Sequence, residues 1–268
     1  MANLSCDVAI IGAGTAGLAA ERAARKGGAK TLLIDDRFAG TTCASVGCMP
    51  SKLLIAAANA AFNARRASLF GIQTQTSVDD RAVMARVRKE RDKFVAATLR
   101  SIERIPDGIR LQQRARFTSR NTLELADGTN VSAKAIVVAT GSRPSVPEPF
   151  QKLGDIVLTN DTIFELSSLP MSIAVVGAGP LGLELAQALT RLESKRRCSI
   201  RANISPHCTT PKLPPNFDPC SARNSRFIWA SSWRSQSVGG KHSFRGRAPP
   251  RESHLFNASW SLRDGRQR

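Results

Sequence analysis

Residues 8–17 read Val-Ala-Ile-Ile-Gly-Ala-Gly-Thr-Ala-Gly, and this stretch decides the fold. Residues 8–11 form a continuous apolar run of strand length, and residues 18–26 continue the chain with helical spacing until Gly27-Gly28 stops it. Between the two, Gly12 permits a tight turn, Gly14 lets backbone approach a pyrophosphate, and Gly17 lets helix and strand pack closely. Thr15 and Ala16 complete the turn and open the helix, whose amino end attracts phosphate oxygens. A second strand at 31–34 ends in Asp35, 18 residues beyond Gly17, where a carboxylate can accept from ribose hydroxyls. Strand, glycines, helix, strand and acid in that order predict an α/β, Rossmann-like dinucleotide-binding fold.

The same grammar returns later. Residues 173–176 form a second apolar strand, followed by Gly177-Ala178-Gly179-Pro180-Leu181-Gly182 and a helix from Leu183. Two such units imply two dinucleotides. Between them, 79–105 reads as one long charged helix stopped before Pro106. Segments 108–117 and 122–125, with Asp127-Gly128 as a turn, predict a small antiparallel meander.

After residue 193 the text changes. Segment 194–268 carries 15 basic and 3 acidic residues, so most of the formal charge of +18 sits there, with 13 Ser and 7 of the 14 Pro. It shows no sustained apolar period and is expected to be disordered. The organisation expected is a dinucleotide-binding domain at 1–150, an incomplete second dinucleotide unit at 151–193 and a basic tail at 194–268. The second strand and acid of the second unit are not found. Leu181, Leu183, Leu185, Leu189 and Leu192 should then fold back on the first domain or drive aggregation. The abrupt change inside a helical pattern suggests a fragment produced by a reading-frame change near residue 194. No apolar run is long enough to span a membrane and no signal segment is seen, so the expected location is cytoplasmic.

Cys43 and Cys48 stand where the chain leaves the second strand and enters a helix. Read at four-residue spacing on one face of that helix, the pair needs a distorted first turn, which Gly47 makes easier. A helix amino end favours a thiolate, and a pair that opens and closes can exchange with a substrate disulfide. Two unrelated buried cysteines would have the same spacing.

Residues 40–52, Gly-Thr-Thr-Cys-Ala-Ser-Val-Gly-Cys-Met-Pro-Ser-Lys, resemble the redox signature of the class I pyridine nucleotide-disulfide oxidoreductases. The Pro-Ser-Lys ending is similar to that of dihydrolipoyl dehydrogenases and mercuric reductases, with dihydrolipoamide favoured as substrate. The resemblance implies FAD as bound cofactor and NAD or NADP as diffusible partner. It implies Cys43 as interchange thiol and Cys48 as charge-transfer thiol. It places Thr42 and Lys52 beside the flavin, Lys52 paired with Glu184, Ala115 against the adenine, and Thr140, Gly141 and Ser142 in the turn that returns beside the flavin. Gly177, Gly179, Gly182 and Glu184 fall to the nicotinamide side. Thr41 stands where the family usually has glycine and can crowd the flavin phosphates. The resemblance also implies a homodimer whose partner supplies a His and Glu acid-base pair; His207, His242 and His254 lack that context.

The rival reading is an interaction protein. Its basic tail would bind nucleic acid through phosphate contacts and stacking by Phe227, Trp229, Trp233, Phe244 and Trp260. Cys198, Cys208 and Cys220 match no zinc spacing, so no metal site is expected.

Overall fold

A computed structural model describes residues 2–177, 179–192, 198–201 and 225–229. Its first half is built on β1 (Asn3–Ile11), which pairs in parallel with β2 (Thr31–Ile34) on one side and β6 (Asn130–Val138) on the other. The helix α1 (Thr15–Lys26) connects β1 to β2, which is the βαβ unit expected from the glycine order. β3 (Arg110–Leu111) extends the sheet beyond β2, while β5 (Thr122–Leu125) and β4 (Ala115–Ser119) add antiparallel strands beyond β6. The order is β3-β2-β1-β6-β5-β4.

Strand β1 reads as nearly continuous apolar sequence toward its carboxyl end because both of its faces are covered. On one face Cys6, Ala9, Leu32 and Ile34 pack with Leu123, Leu125, Val131 and Ala133 of the meander. On the other, Ile10, Ala13 and Leu33 pack with Ile105, and Leu18 and Ala20 of α1 lie against them. Segment 108–117 was expected as one strand and is two. Gln113 N–H donates to the Leu111 carbonyl at 2.9 Å, turning the chain between β3 and β4, and Arg114 pairs with Asp36 at 3.1 Å at the end of β2.

Two further helices carry the cysteines and their support, α2 (Thr42–Ser45) and α3 (Cys48–Arg65). The long α4 (Asp80–Glu103) follows; Asp79 caps it by accepting from Ala82 N–H at 3.0 Å. The second half begins with α5 (Glu148–Gln151) and β7 (Val157–Thr159), then β8 (Ser172–Val176) and α6 (Pro180–Leu192).

The strand expected to be missing after α6 is present as a short one. β9 (Cys198–Arg201) pairs in parallel with β8, and β10 (Ser225–Trp229) lies between β7 and β8, giving the all-parallel order β7-β10-β8-β9. The edges of β8 present a row of backbone donors and acceptors, and short β-rich segments of the tail satisfy them. This corrects the expectation for two pieces of 194–268; the remainder of that segment lies outside the described residues. Of the residues proposed to stack on nucleic acid, Phe227 and Trp229 fall on β10, and Trp233, Phe244 and Trp260 lie outside the description. The three histidines, Cys208 and Cys220 also lie outside it.

The apolar side of α6 takes the first of the two fates expected for it. Leu185, Ala188, Leu189 and Leu192 are buried against Leu54 and Ala58 of α3 and Met84 and Val87 of α4. Leu181 is partly buried in that cluster, and Leu183 remains 49% exposed. Polar contacts close both ends of the α3–α6 packing. Lys52 Nζ meets Glu184 Oε1 at 2.7 Å, and Arg191 donates to Asn59 Oδ1 at 2.5 Å while stacking on the Phe62 ring at 4.2 Å. Seven residues separate Lys52 from Asn59 and also Glu184 from Arg191, so two helical turns in each helix run side by side. Among the described residues no helix is long and apolar enough to cross a membrane.

Candidate active site

The first glycine-rich turn lies at the carboxyl end of β1. Gly12 has φ of +104° and is buried, and a Cβ built on it would overlap the carbonyl of Ala139 just beyond β6. A Cβ on Gly17 would overlap the Gly12 carbonyl oxygen and lie 2.9 Å from its carbon. Gly14 differs: nothing lies within 4 Å of a Cβ placed there. The three glycines thus act in three ways, and only Gly14 faces open space. No side chain caps α1, so its first N–H groups are available to an anionic ligand. This cradle fits the pyrophosphate of a dinucleotide. Thr15, Ala16, Thr140, Gly141 and Ser142 are exposed. The Ala139 N–H bond to the Ile11 carbonyl, 2.8 Å, brings the last three toward the mouth of the loop.

Asp35 sits at the end of β2, and its carboxylate already has backbone donors. Oδ2 accepts from Ala13 N–H at 2.8 Å, inside the glycine turn, and Oδ1 accepts from Arg37 N–H at 2.9 Å and Phe38 N–H at 2.7 Å. Phe38 is held at φ of +47° by that bond, with its ring against the Ile10–Leu33–Ile105 cluster. The sequence leads one to expect a ribose acceptor here; the structure adds a tie between the glycine turn and the loop leading to the cysteines. One lone-pair direction on Oδ2 remains for a hydroxyl. Burial pushes the Asp35 carboxyl up, but the three N–H bonds and Arg37 together hold it below the usual carboxylate value. A lowered folded pKa gives stability that is complete above the unfolded value of about 3.9 and is lost as pH falls through the folded value. Asp35→Asn should therefore lose about 1–2 kcal/mol at pH 7, and the difference should begin to narrow below about pH 4, as the pH approaches the lowered folded value. Thermal unfolding of both proteins between pH 7 and pH 3 checks this; a gap as wide at pH 3 as at pH 7 would refute it.

The cysteines are brought together by a broken helix. They are five residues apart, so on a regular helix they would point about 140° away from each other, not along one face as the four-residue reading had it. The chain solves this by ending α2 at Ser45 and starting α3 at Cys48, with Val46 and Gly47 between. Gly47 has an ordinary φ of −118°, so its need is space: a Cβ would lie 2.9 Å from the Thr42 carbonyl oxygen and 3.3 Å from the Cys43 Cα. That close approach folds Cys48 against Cys43. Beside Cys48 the Cys43 thiol is pushed above its ordinary value, first by hydrogen bonding with that side chain, then by burial, then by its charge; a bond from the Cys48 backbone N–H opposes these without outweighing them. Both thiols are free, Cys43 half-buried and Cys48 exposed.

Thr41 is engaged through its side chain at the start of α2. Its backbone is extended and its hydroxyl caps α2 by accepting from Ala44 N–H at 3.2 Å. Thr42 is exposed beside Cys43. One turn beyond Cys48, Lys52 meets Glu184, which joins the amino end of α3 to the second turn of α6. Pro180 opens α6, Gly177 has φ of +118°, the Gly179 carbonyl accepts from Leu183 N–H at 3.0 Å, and Gly182 is buried. Ala115 opens β4 and packs under the meander beside Leu111. The Arg191–Asn59–Phe62 cluster and the Asp35–Ala13 tie are visible only in the structure. The shared seven-residue offset is the one sequence signal that could have suggested the former.

The chain thus carries a glycine cradle after β1, a pair of cysteines at the start of α3 and a second glycine turn before α6, the last two linked by the Lys52–Glu184 ion pair. The sequence matches the family model for pyridine nucleotide-disulphide oxidoreductases over residues 6–213. The chain belongs to this family. It is 35% identical over 218 residues to a mercuric reductase of Streptomyces lividans, covering 76% of this chain and 44% of that protein. It is 34% identical over 196 residues to dihydrolipoyl dehydrogenase 2 of Haloarcula marismortui, covering 69% and 40% respectively. The chain therefore spans less than half the length of these relatives. Its fold is similar to that of the HOCl-induced flavoprotein disulfide reductase RclA of Escherichia coli in its Cu(II) complex, with a TM-score of 0.59, 19% identity, and coverage of 83% of this chain and 48% of that one. Members of the family use FAD and NAD(P) with dithiol or disulfide substrates, and are typically homodimers.

Proposed function

We propose that this chain binds FAD on the β1–α1 cradle and NAD or NADP on the β8–α6 turn. Its Cys43–Cys48 pair would exchange electrons with a dithiol substrate of the lipoamide type. The observation that carries the reading is the placement of Cys43 on α2 and Cys48 at the amino end of α3, folded together at Gly47 one turn from the Lys52–Glu184 bridge. Gly12, Gly14, Thr15, Ala16, Gly17 and Asp35 would hold the FAD pyrophosphate and ribose. Ala115, Thr140, Gly141, Ser142, Thr42 and Lys52 would line the rest of its course, and Gly177, Gly179, Gly182 and Glu184 the nicotinamide side.

The chemistry assigned to the chain's own residues is thiol–disulfide exchange. With the pair oxidised, one substrate thiolate attacks the Cys43 sulfur, the Cys43–Cys48 bond breaks and its electron pair leaves on Cys48. The second substrate thiolate then attacks the substrate sulfur of the mixed disulfide, the Cys43–substrate bond breaks and Cys43 takes up a proton. The substrate ends as a disulfide and the pair as a dithiol, two electrons richer. Bound FAD would supply the acceptor that passes this electron pair on to a nicotinamide.

The Cys43 thiol is pushed above its ordinary value, first by hydrogen bonding with the Cys48 side chain and then by burial, so it holds its proton at neutral pH. The resemblance of residues 40–52 to the family signature supports Cys43 as the thiol that meets substrate and Cys48 as its partner against the flavin, although Cys48 is the more exposed of the two. In the direction of disulfide reduction Cys43 must lose its proton before it attacks, so that rate should rise with pH. Such cycling suits the reducing environment of the cytoplasm. A second reading follows from the mercuric reductases among the relatives: the reduced pair, with Cys48 open to solvent, would take a thiophilic metal ion such as Hg(II) as substrate.

The experiment is a visible absorption spectrum of the protein after FAD is added and excess removed, then after dithiol. A retained flavin spectrum with a new long-wavelength band on reduction is expected. A colourless protein would overturn the reading. Comparing NADH oxidation with lipoamide and with Hg(II) separates the two substrates.

A further inference from the structure

We infer that Thr41 is a positioning residue that holds Cys43 against Cys48 and thereby favours closure of the disulfide. The inference rests on the proposed redox role of that pair.

Cys43 lies on α2, a helix of four residues, too short to hold itself in water. Its order comes from its two ends. At the front, Thr41 makes a two-part clip: the Thr41 hydroxyl accepts from Ala44 N–H at 3.2 Å, and the Thr41 carbonyl accepts from Ser45 Oγ at 3.0 Å and Ser45 N–H at 3.1 Å. These bonds pass on either side of Cys43. At the back, Gly47 lies so close to Thr42 and Cys43 that no Cβ fits between. Ala44 is buried beneath, so α2 moves as a small rigid piece whose orientation fixes the Cys43 sulfur.

The clip acts mainly on the dithiol. Once the disulfide forms, the covalent link holds α2 in place by itself, whereas in the dithiol only the clip and Gly47 keep the sulfurs adjacent. Loosening α2 lowers the effective concentration of one thiol at the other and so disfavours closure. Closure transfers two electrons and two protons to glutathione disulfide, which leaves as two glutathione thiols.

The test is the equilibrium of the Cys43–Cys48 pair in glutathione redox buffers, read by alkylation and mass spectrometry of the intact protein and its peptides. Thr41→Val keeps the side-chain shape and removes the cap. It should lower the equilibrium constant for closure about fivefold, the factor that loss of one N-cap hydroxyl is worth. Thr41→Ser should restore it, and Ser45→Ala, which removes the second half of the clip, should shift it the same way by less. A constant for Thr41→Val within twofold of the parent, with only a lowered melting temperature, would make Thr41 merely structural and overturn the inference. So would a Thr41→Ser protein that falls as far as Thr41→Val. A parent chain that never closes the pair would overturn the proposed redox function together with this inference.

Discussion

Replacing Gly17 by alanine is expected to cost at least about 3 kcal/mol of stability and lower the melting temperature by roughly 10 °C, whereas replacing Gly14 should leave stability within about 1 kcal/mol. The difference lies in what each new methyl meets. At Gly17 it would overlap the Gly12 carbonyl, and Gly12 is itself packed on the backbone at Ala139, so α1 would have to move off β1. Backbone cannot yield as a flexible side-chain end can. At Gly14 the φ is −77°, which any residue adopts, and the methyl enters open space at the amino end of α1. If that space is where phosphate oxygens approach, Gly14→Ala should weaken FAD binding by at least about tenfold while its unfolding curve stays nearly parental. Thermal unfolding without FAD, with FAD titration followed by flavin fluorescence, separates the two effects. A Gly14→Ala protein that binds FAD as the parent does would remove the loop from the proposed site.

The contrast also marks how far sequence reasoning reaches. The order strand, glycines, helix, strand and acid was sufficient for the βαβ unit because Gly12 and Gly17 each stand where no side chain fits. The meander was legible for a similar reason, with Asp127-Gly128 turning between β5 and β6. Two things were not legible. Strands β9 and β10 are four and five residues long and sit in Ser- and Pro-rich text, so their pairing is decided by the open edges of β8 and β7 rather than by a local period. The cysteine geometry was misread as one helical face, when Gly47 breaks the helix and supplies the approach. Asp35 shows both sides of the matter. Its place after β2 was expected, but its bond to Ala13 N–H joins segments 22 residues apart and has no signature in either.

Substituting serine for either cysteine should reduce dithiol–disulfide exchange to background with little change in melting temperature, since neither side chain is fully buried. The two variants should nevertheless differ in a way that tests the electrostatics of the pair. In the reduced protein the Cys43 thiol is raised first by its hydrogen bond to Cys48, then by burial, then by the charge of Cys48. Cys48→Ser removes the sulfur that provides the first and third of these, leaving burial and the opposing bond from the residue-48 backbone N–H. Alkylation of Cys43 by iodoacetamide, followed from pH 6 to pH 11 by peptide mass spectrometry, should therefore shift to lower pH in Cys48→Ser. In the parent, label should reach Cys48 first, because it is the exposed thiol, and should reach Cys43 only as the pH is raised. If the Cys43 profile is the same in parent and Cys48→Ser, the sulfurs do not interact in solution. The thiol contact that supports the proposed function would then be lost, even with FAD bound. If the profile shifts, exchange at Cys43 is limited by removal of its proton, and an acid–base group that takes that proton should raise turnover most at neutral pH and least where the thiol ionises unaided.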